Sequence, residues 1–522
     1  MTHHCTSNRR SALRALALAP TLIAARSWAQ GMDHSTHGMM GASTAAPAST
    51  AADPHAAHAS TASEPVALAP VDTLPAGQPL AALPRLENRA RKGGLFSATL
   101  TAAPMHLSLV RGTTTEFWAY NGELPGPLIE AREGDTVEIL FNNRLPQPST
   151  IHWHGLPVPP EHDGNPQDPV APGAQRLCRF VLPKGCAGTY WYHPHPHGYT
   201  AEQVFRGLAG LFIVRAAHDP LAGIPERHWV FSDLKLAADG RIPPNDDNDT
   251  MNGREGQFCL VNGQRQPLVR FAAGGRERWR IWNANSARYL RLQLGDVAFT
   301  LVGSDGGLLQ APRPGLAELL LAPAERVEVI VDAPAQPGRR ALVSAVYARG
   351  KMGNVAPDQP LTLAHVDFAA PPRKPLPPLP KHLRRIDDLG PAVAQQRVVF
   401  SEEMSMAGGV HSMKFLINGG QFDMNRVDLH SRLGEVELWE VANQADMDHP
   451  FHIHGVQFQE VERVFEGKTT PAPYRAWKDI ANLRAGETVR LKLRQMHPGL
   501  RMFHCHILEH ENAGMMGQVL VG

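Results

Sequence analysis

A degenerate threefold repeat sets the strongest limit on how this chain can fold. Each copy contains an Asn-Gly pair that follows an apolar residue, with the asparagines at Asn121, Asn262 and Asn418. The copies are therefore 141 and 156 residues apart, which is the length of a whole domain rather than of a solenoid unit. Apolar and polar residues alternate in residues 136–141 and 326–331. This alternation is typical of half-buried strands and predicts an all-β chain of consecutive β-sandwiches.

Composition and charge agree with this interpretation and exclude some functions. A chain of 522 residues predicts three or four domains, and its 45 prolines and 46 glycines favour short strands and turns. The formal net charge of +1 gives no sign of a nucleic-acid or acidic-membrane partner. The chain has 26 histidines and 16 methionines but only 5 cysteines, which indicates metal chemistry.

Histidine pairs separated by one residue are the motifs that carry this chemistry. In a strand, residues two apart point to the same side, so each pair can offer two imidazoles to one metal. A lone histidine is usually structural, but four such pairs are not explained by chance. The four clusters are His152-Trp153-His154, His193-Pro194-His195, His449-Pro450-Phe451-His452-Ile453-His454 and His504-Cys505-His506.

The last cluster is the most informative because it contains a cysteine. Cys505, His510 and Met515 supply a thiolate, an imidazole and a thioether within eleven residues. One more histidine would complete the His₂Cys set with a weak axial methionine of a blue-copper site. Zinc is a poor alternative, since its structural sites usually use several cysteines.

These clusters resemble the copper signatures of the three-domain multicopper oxidases, the family of laccases and cuprous oxidases, over residues 85–522. The resemblance implies three consecutive cupredoxin-like Greek-key β-sandwich domains and four copper ions. It assigns the type 1 copper to His449, Cys505 and His510, with Met515 as the axial ligand. It assigns the type 2 copper to His152 and His452. The implied ligands of the type 3 pair are His154, His193, His195, His454, His504 and His506.

The repeat predicts where these groups meet. The first domain holds two clusters and the third holds the other two, whereas residues 283–294 of the second contain no histidine. We therefore expect a trinuclear centre between the first and third domains, with the second as a spacer. The resemblance implies one-electron oxidation of a reducing substrate coupled to four-electron reduction of O₂ to water.

Two acidic residues match the positions that deliver protons in the family. Asp163 and Glu511 are therefore candidate catalytic acids. Asp163 can also be read as a turn residue before a glycine, and Glu511 as a solvated carboxylate. Asp448 is either a partner that orients His449 or a surface charge.

The N-terminus predicts export. Arg9-Arg10 precedes an apolar run and a small-x-small site ending at Ala29, which favours a twin-arginine signal over an ordinary secretion signal. The run is too interrupted to span a membrane. We expect a periplasmic or secreted protein, and the family resemblance favours a monomer.

The predicted segments are a signal over 1–29, a disordered His/Met linker over 30–84, domains over 85–220, 221–370 and 396–522, and a Pro-rich linker over 371–395.

Some alternatives stay open at this level. A disulfide between Cys178 and Cys186 is compatible with export, but Cys259 allows other pairings. The expected substrate is a phenol or aromatic amine, as in laccases, and the alternative is Cu(I), as in a periplasmic cuprous oxidase of copper tolerance. The short methionine stretch around Met404 and Met413 predicts an open type 1 edge and favours the first. The His- and Met-containing linker favours the second, and a non-enzymatic copper-binding relative would require lost ligands. Further methionines and histidines relevant to Cu(I) are Met406, His411, His34, His37, Met39, Met40, His55 and His58.

Overall fold

The computed structural model describes residues 66–271, 275–369, 376–407 and 410–522. The predicted export signal and most of the predicted His/Met linker lie outside these ranges, as does the start of the Pro-rich linker. The regular structure within them is almost entirely β and forms consecutive sandwiches. A search of these ranges for a helix long and apolar enough to cross a membrane finds none.

The first sandwich has one sheet whose long strands alternate between buried and half-buried side chains and a second sheet whose strands are almost wholly buried. Its elements are β1 (Leu95–Leu107), β2 (Thr115–Tyr120), β3 (Gly126–Arg132), β4 (Thr136–Asn143), β5 (Gln175–Val181), β6 (Gly188–Tyr192), α1 (Thr200–Phe205) and β7 (Gly210–Arg215). One sheet has the order β2-β1-β4-β5 and the other β3-β7-β6. The predicted half-buried strand at residues 136–141 is confirmed by β4, whose side chains alternate along its whole length.

The second sandwich departs from the predicted alternation. Its elements are β8 (Glu226–Leu234), α2 (Asp247–Asn252), β9 (Phe258–Val261), β10 (Leu268–Arg270), β11 (Arg276–Asn283), β12 (Leu290–Leu294), β13 (Phe299–Ser304), β14 (Gly307–Leu316), β15 (Leu319–Leu321), β16 (Arg326–Asp332), β17 (Gly338–Ala345) and β18 (Leu361–Phe368). The sheet orders are β14-β13-β16-β11-β8-β9 and β10-β18-β17-β12-β15. The predicted strand at residues 326–331 is present as β16, but its polar residues Arg326 and Glu328 are fully buried. They are buried because each forms ion pairs inside the protein.

The third sandwich carries the densest histidine clusters. Its elements are β19 (Ala394–Ala407), β20 (Val410–Ile417), β21 (Leu429–Ser431), β22 (Val436–Asn443), β23 (His449–Ile453), β24 (Phe458–Phe465), β25 (Lys468–Pro471), β26 (Ile480–Leu483), β27 (Thr488–Arg494), β28 (Gly499–Cys505), α3 (Leu508–Asn512) and β29 (Met516–Val521). The sheet orders are β20-β19-β22-β27-β24-β25 and β21-β29-β28-β23-β26. β23 and β28 are neighbours, and their register places His452 opposite His504.

The Asn-Gly repeat marks the same turn in each sandwich. Asn121, Asn262 and Asn418 have φ values of 54°, 49° and 52°, and the glycine after each also has a positive φ. Two consecutive positive φ values define the tight turn that Asn-Gly favours. The side-chain oxygen of each asparagine accepts a backbone hydrogen bond from the first long strand of its own sandwich. The repeat in the sequence therefore corresponds to the same tight turn in all three sandwiches.

The end of the predicted disordered linker is ordered. Within 30–84, residues 66–84 pair with the second sandwich through bridges at Leu68, Ala76 and Pro79. Leu74 and Leu83 are buried there. The prediction fails for this stretch because its leucines, unlike the Ala- and Ser-rich residues before them, can bury apolar surface.

Candidate copper centres

The predicted type 1 ligands meet inside the third sandwich. His449 begins β23, Cys505 ends β28, and His510 lies in α3. Nδ1 of His449 is 3.2 Å from Sγ of Cys505 and 3.4 Å from Nδ1 of His510. All three side chains are fully buried. Two imidazole nitrogens and one sulfur therefore converge on one point, as a His₂Cys copper site requires.

The predicted axial residue, Met515, is held beside these ligands by the backbone. The N–H of Cys505 donates to the Met515 carbonyl at 3.1 Å, and the N–H of Met515 donates to the His510 carbonyl at 2.9 Å. The Met515 side chain is fully buried in the same apolar core as Cys505. The loop after α3 is thus fixed against the strand that carries the cysteine.

The outer edge of this site is covered by the second sandwich. Nε2 of His510 donates to the carbonyl oxygen of Met251, in α2, at 3.1 Å. The His510 ring also stacks on Phe415, with ring centroids 3.9 Å apart. The prediction of an open type 1 edge is therefore wrong. The methionine stretch is short, as expected, but α2 supplies a cover from a different part of the chain.

The remaining predicted ligands lie together between the first and third sandwiches. The first sandwich contributes them from the loop after β4 and the segment after β6, and the third contributes them from β23 and β28 and the residues after them. Each side chain is no more than 1% exposed. These ligands are His152, His154, His193, His195, His452, His454, His504 and His506.

Ring nitrogens from the two sandwiches approach each other closely. Nε2 of His152 is 3.3 Å from Nε2 of His452. Nε2 of His504 is 3.3 Å from Nε2 of His195 and 3.2 Å from Nε2 of His454. These groups form one continuous site at the domain interface, in the place that the repeat predicts.

Outward hydrogen bonds orient several of the rings. Nδ1 of His193 donates to the carbonyl of Pro194, and Nδ1 of His504 donates to the carbonyl of Cys505, each at 2.9 Å. A histidine that donates from one ring nitrogen keeps a lone pair on the other, which is the usual arrangement for a metal ligand. For both rings the free nitrogen is Nε2.

Asp479 orients two further rings, one in each sandwich. Its carboxylate Oδ1 accepts from Nε2 of His154 at 3.0 Å, and its backbone carbonyl accepts from Nδ1 of His452 at 2.8 Å. His154 therefore presents Nδ1, whereas His452 presents Nε2. Sequence reasoning missed Asp479 because the residue stands 325 positions from His154 and in no histidine cluster.

The site fits a metal on physical grounds. Nδ1 of His154, Nε2 of His193 and both ring nitrogens of His506 are buried without a hydrogen-bond partner. Burial lowers the pKa of His504 and of His449 to about 3, so both imidazoles stay neutral. Unpartnered buried nitrogens are costly unless something binds them. Neutral imidazoles together with one thiolate suit copper.

Asp163 is a buried acid at the edge of this site. It follows a short 3-10 helix over Pro160–His162, and its Oδ1 is 3.0 Å from Nδ1 of His152. Its other oxygen, Oδ2, lies 3.7 Å from Nδ1 of His454 and has no hydrogen-bond partner. Asp163 is both a turn residue and a contact of two predicted ligands, so the two interpretations of it are compatible.

Glu511 contacts other histidines of the group than Asp163 does and is not a solvated carboxylate. Its Oε1 is 3.4 Å from Nε2 of His195, and its Oε2 is 3.5 Å from Nδ1 of His504. The side chain is 2% exposed. Burial raises the pKa of Glu511 to about 8, so that this carboxyl is protonated at neutral pH.

Asp448 neither orients His449 nor lies at the surface. Its carboxylate accepts hydrogen bonds from the Tyr347 hydroxyl at 2.7 Å and from the Asn482 amide at 3.0 Å. Asp448 is 5% exposed, and Nε2 of His449 has no hydrogen-bond partner. Asp448 thus ties the second sandwich to the third near the type 1 group.

Within the part of the chain that the structure describes, the three cysteines outside the type 1 group are not paired. Cys178, Cys186 and Cys259 are free thiols, and the first two are buried in the core of the first sandwich. Burial raises the pKa of Cys178 and of Cys186 to about 12. Protonated thiols in an apolar core behave as small apolar side chains, and the suggested Cys178–Cys186 disulfide is absent.

Comparison with known proteins identifies the family. Multicopper oxidase family models match residues 101–219, 228–366 and 396–522, one in each sandwich. The multicopper oxidase Mco of Staphylococcus aureus is 31% identical over 84% of this chain and 91% of its own length. The structure described as "Multicopper oxidase from Campylobacter jejuni: a metallo-oxidase" is 44% identical, with a TM-score of 0.84 over 88% of this chain and 98% of that one. A laccase from Pediococcus acidilactici is 31% identical, with a TM-score of 0.74 over 86% and 95% of the two chains.

These matches cover each predicted domain and confirm the cupredoxin-like fold. They also agree with the chemistry of the buried imidazole and thiol groups, which suits copper. The chain belongs to the multicopper oxidase family and is a copper-dependent oxidoreductase that uses O₂ as electron acceptor.

Proposed function

We propose that the chain binds four copper ions as the family resemblance implies. His449, Cys505 and His510 would hold the type 1 copper, with Met515 axial, and His152 and His452 would hold the type 2 copper. The donor atoms of His449, Cys505 and His510 lie within 4.8 Å of one another, which supports the type 1 assignment. Donor atoms of the interdomain histidines converge in overlapping groups, such as His152 with His452 and His454, and support one shared centre there. The type 3 pair would be held by His154, His193, His195, His454, His504 and His506.

Bound copper supplies the one-electron redox chemistry, and the chain supplies positions and connections. Cys505 is joined by one peptide bond to His504 and by another to His506. A short covalent path therefore links the type 1 thiolate to two ligands of the interdomain site. Because the rings around both sites are fully buried, bulk water is excluded from them.

We propose Asp163 and Glu511 as the acids that manage protons for O₂ reduction. They contact different histidines of the group: Asp163 lies 3.0 Å from His152 and Glu511 lies 3.4 Å from His195. Glu511 is protonated at neutral pH and can donate a proton, whereas Asp163 accepts a hydrogen bond from its histidine.

The reducing substrate that the geometry supports best is a small soft cation, Cu(I). The carrying observation is the contact of 3.1 Å between Nε2 of His510 and the carbonyl of Met251, which covers the edge of a fully buried ring. A Cu(I) ion needs only a few soft donors, and thioether sulfur suits it. The relative from Campylobacter jejuni, which is described as a metallo-oxidase, supports the same substrate class.

Methionines surround this covered edge. Met352 is fixed to the end of α2 by two hydrogen bonds with Asn252, at 2.7 and 3.1 Å. Met413 packs against the core that holds Cys505, and it is paired across the β19–β20 hairpin with the exposed Met404. Residues opposite each other on paired strands share a face, so these two thioethers lead from solvent toward the type 1 group.

A laccase-like oxidation of phenols or aromatic amines is the second candidate. The relative from Pediococcus acidilactici that is described as a laccase favours it. It would require α2 to move aside, since the described position of Met251 covers the His510 edge.

Turnover of Cu(I) and of a phenol by the copper-loaded protein, with and without added Cu(II), separates the candidates. We expect Cu(I) oxidation without added copper, and phenol oxidation only when excess Cu(II) is present. Met413→Leu removes a thioether of the path described above and should lower kcat/KM for Cu(I) while it leaves phenol turnover unchanged. Met105→Leu, at a half-buried methionine on β1, should change neither. Fast phenol turnover without added Cu(II) would support the laccase-like activity instead.

We also propose that the protein works outside the cytoplasm as a monomer and reaches that place by the twin-arginine route. The Arg9-Arg10 pair ahead of an apolar run supports export. Replacement of both arginines by lysine should retain the protein in the cytoplasm, and fractionation of cells would test this directly.

A further inference from the structure

Arg326 of the second sandwich is a fully buried arginine that contacts all three sandwiches. Its Nε donates to the carbonyl of Thr189 in the first sandwich at 2.9 Å. Its Nη1 and Nη2 donate to the two carboxylate oxygens of Asp479 in the third sandwich, each at 2.6 Å. Its backbone N–H donates to Oδ1 of Asp305 in its own sandwich at 2.9 Å. The guanidinium is therefore held in one orientation by all three domains.

The carboxylate that Arg326 holds is the one that orients His154. Oδ1 of Asp479 accepts from Nε2 of His154 at 3.0 Å while it also accepts from Nη1 of Arg326. A carboxylate paired with both arms of a guanidinium is fixed in plane as well as in position. The proton of His154 is thereby placed on Nε2, and the lone pair of Nδ1, which has no partner, faces the histidine group.

The space around this arrangement is closed. Gly155, the residue after His154, has a φ of +82° and packs against the ion pair. A Cβ at this position would overlap with Oδ2 of Asp479 and would lie 2.9 Å from Nη2 of Arg326. The backbone next to His154 therefore packs directly against the Arg326–Asp479 ion pair.

We propose that Arg326 is a positioning residue for the interdomain copper centre, acting through Asp479 on His154. The inference rests on the proposed trinuclear centre and gives the histidine-free second domain a part in that centre. The second domain would then do more than hold the other two in register. It would fix the tautomer and the orientation of a ligand that belongs to the first domain.

A purely structural role for the ion pair is the competing explanation. Buried ion pairs contribute little net stability, so burial alone does not explain the pair. Arg278 offers a matched comparison, since it is also buried and pairs with Glu328 in the second sandwich and with Asp219 in the segment between β7 and β8. Unlike Asp479, neither Glu328 nor Asp219 has a described hydrogen bond to a predicted copper ligand.

The test compares the copper-loaded wild type with Arg326→Met, Arg326→Lys, Asp479→Asn and Arg278→Met. Copper per chain, the type 1 absorption band, the type 2 paramagnetic resonance spectrum and the thermal midpoint are measured for each. Loss of an outer partner weakens metal binding about 10- to 100-fold. We expect both Arg326 variants and Asp479→Asn to bind the interdomain copper more weakly by this factor and to keep the type 1 band. The type 2 spectrum should change as well, because the Asp479 carbonyl also holds the proposed type 2 ligand His452.

The controls separate the possible outcomes. Arg278→Met should lower the thermal midpoint but keep all copper and both spectra, and Arg326→Lys covers the case in which Arg326→Met does not fold. Full copper loading with an unchanged type 2 spectrum in both Arg326 variants would overturn the inference, as would the same copper loss in Arg278→Met. If the loaded wild type itself holds only the type 1 copper, the proposed trinuclear centre fails, and this inference fails with it.

Discussion

Gly155→Ala is the substitution whose cost can be worked out most directly from the structure. The residue has a φ of +82°, so alanine there costs about 1–2 kcal/mol for the left-handed backbone alone. The added methyl also overlaps with the Asp479 carboxylate, which must move away from Arg326. Disruption of a buried ion pair costs about 3–5 kcal/mol. The expected total is therefore about 4–7 kcal/mol.

Gly134→Ala is the matched control. Gly134 lies in the same sandwich with a φ of +88°, and a Cβ there would meet open space. Its cost should be the backbone share alone, about 1–2 kcal/mol. Calorimetry of the copper-free proteins measures both losses as shifts of the thermal midpoint. For a cooperative unit of about 150–250 residues, each kcal/mol lowers the midpoint by about 2–4 °C. Gly155→Ala should lower the midpoint by about 10 °C or more, and Gly134→Ala by a few degrees. Equal shifts for the two variants would refute the close seating of His154 on the ion pair.

Three other substitutions test single roles. Burial raises the pKa of Glu511 to about 8 from 4.5, so the folded copper-free protein binds the extra proton and loses stability as pH rises. Buried histidines such as His449 and His504 have lowered pKa values and act in the opposite direction up to their usual pKa of about 6.5, so the Glu511 contribution is separate only above that pH. Glu511→Gln should therefore reduce the fall of the thermal midpoint between about pH 7 and 8. An unchanged slope would show that another group dominates. Asp163→Asn should slow O₂ consumption and keep the type 1 band, as measured by oxygen electrode and absorption, and full turnover would remove Asp163 from proton delivery. Met515→Leu should raise the type 1 reduction potential, because the axial thioether is lost, and a potential that falls or stays constant in redox titration would contradict the axial assignment.

The fold could be predicted largely from local patterns. The Asn-Gly pairs at Asn121, Asn262 and Asn418 report a turn that depends on two adjacent residues, and the alternation in β4 depends on one strand. The same reasoning failed in β16, where alternating polar residues suggested a solvated face. Arg326 and Glu328 are buried there because residues from other sandwiches pair with them, and a single strand carries no sign of those partners.

The candidate site also has a part that local motifs predict and a part that depends on contacts from distant positions in the chain. The His-x-His pairs and Cys505 are local motifs, so their grouping was open to prediction. Asp479 and α2 reach the sites from distant parts of the chain, with 325 positions between Asp479 and His154 and 259 between Met251 and His510. Tertiary contacts at such separations leave no periodicity or spacing in the sequence. For this reason the orientation of His154 and the covered type 1 edge emerged only from the structure.

The most direct test of the central claim is absorption and copper content of the fully loaded protein and of Cys505→Ser. If Cys505 binds the type 1 copper beside a separate interdomain centre, the wild type shows an intense band at about 600 nm, as expected for a copper–thiolate site. The variant should lose this band and one copper per chain, and keep the copper of the interdomain centre. A fully loaded wild type without the band, or a variant that keeps it, would contradict the account.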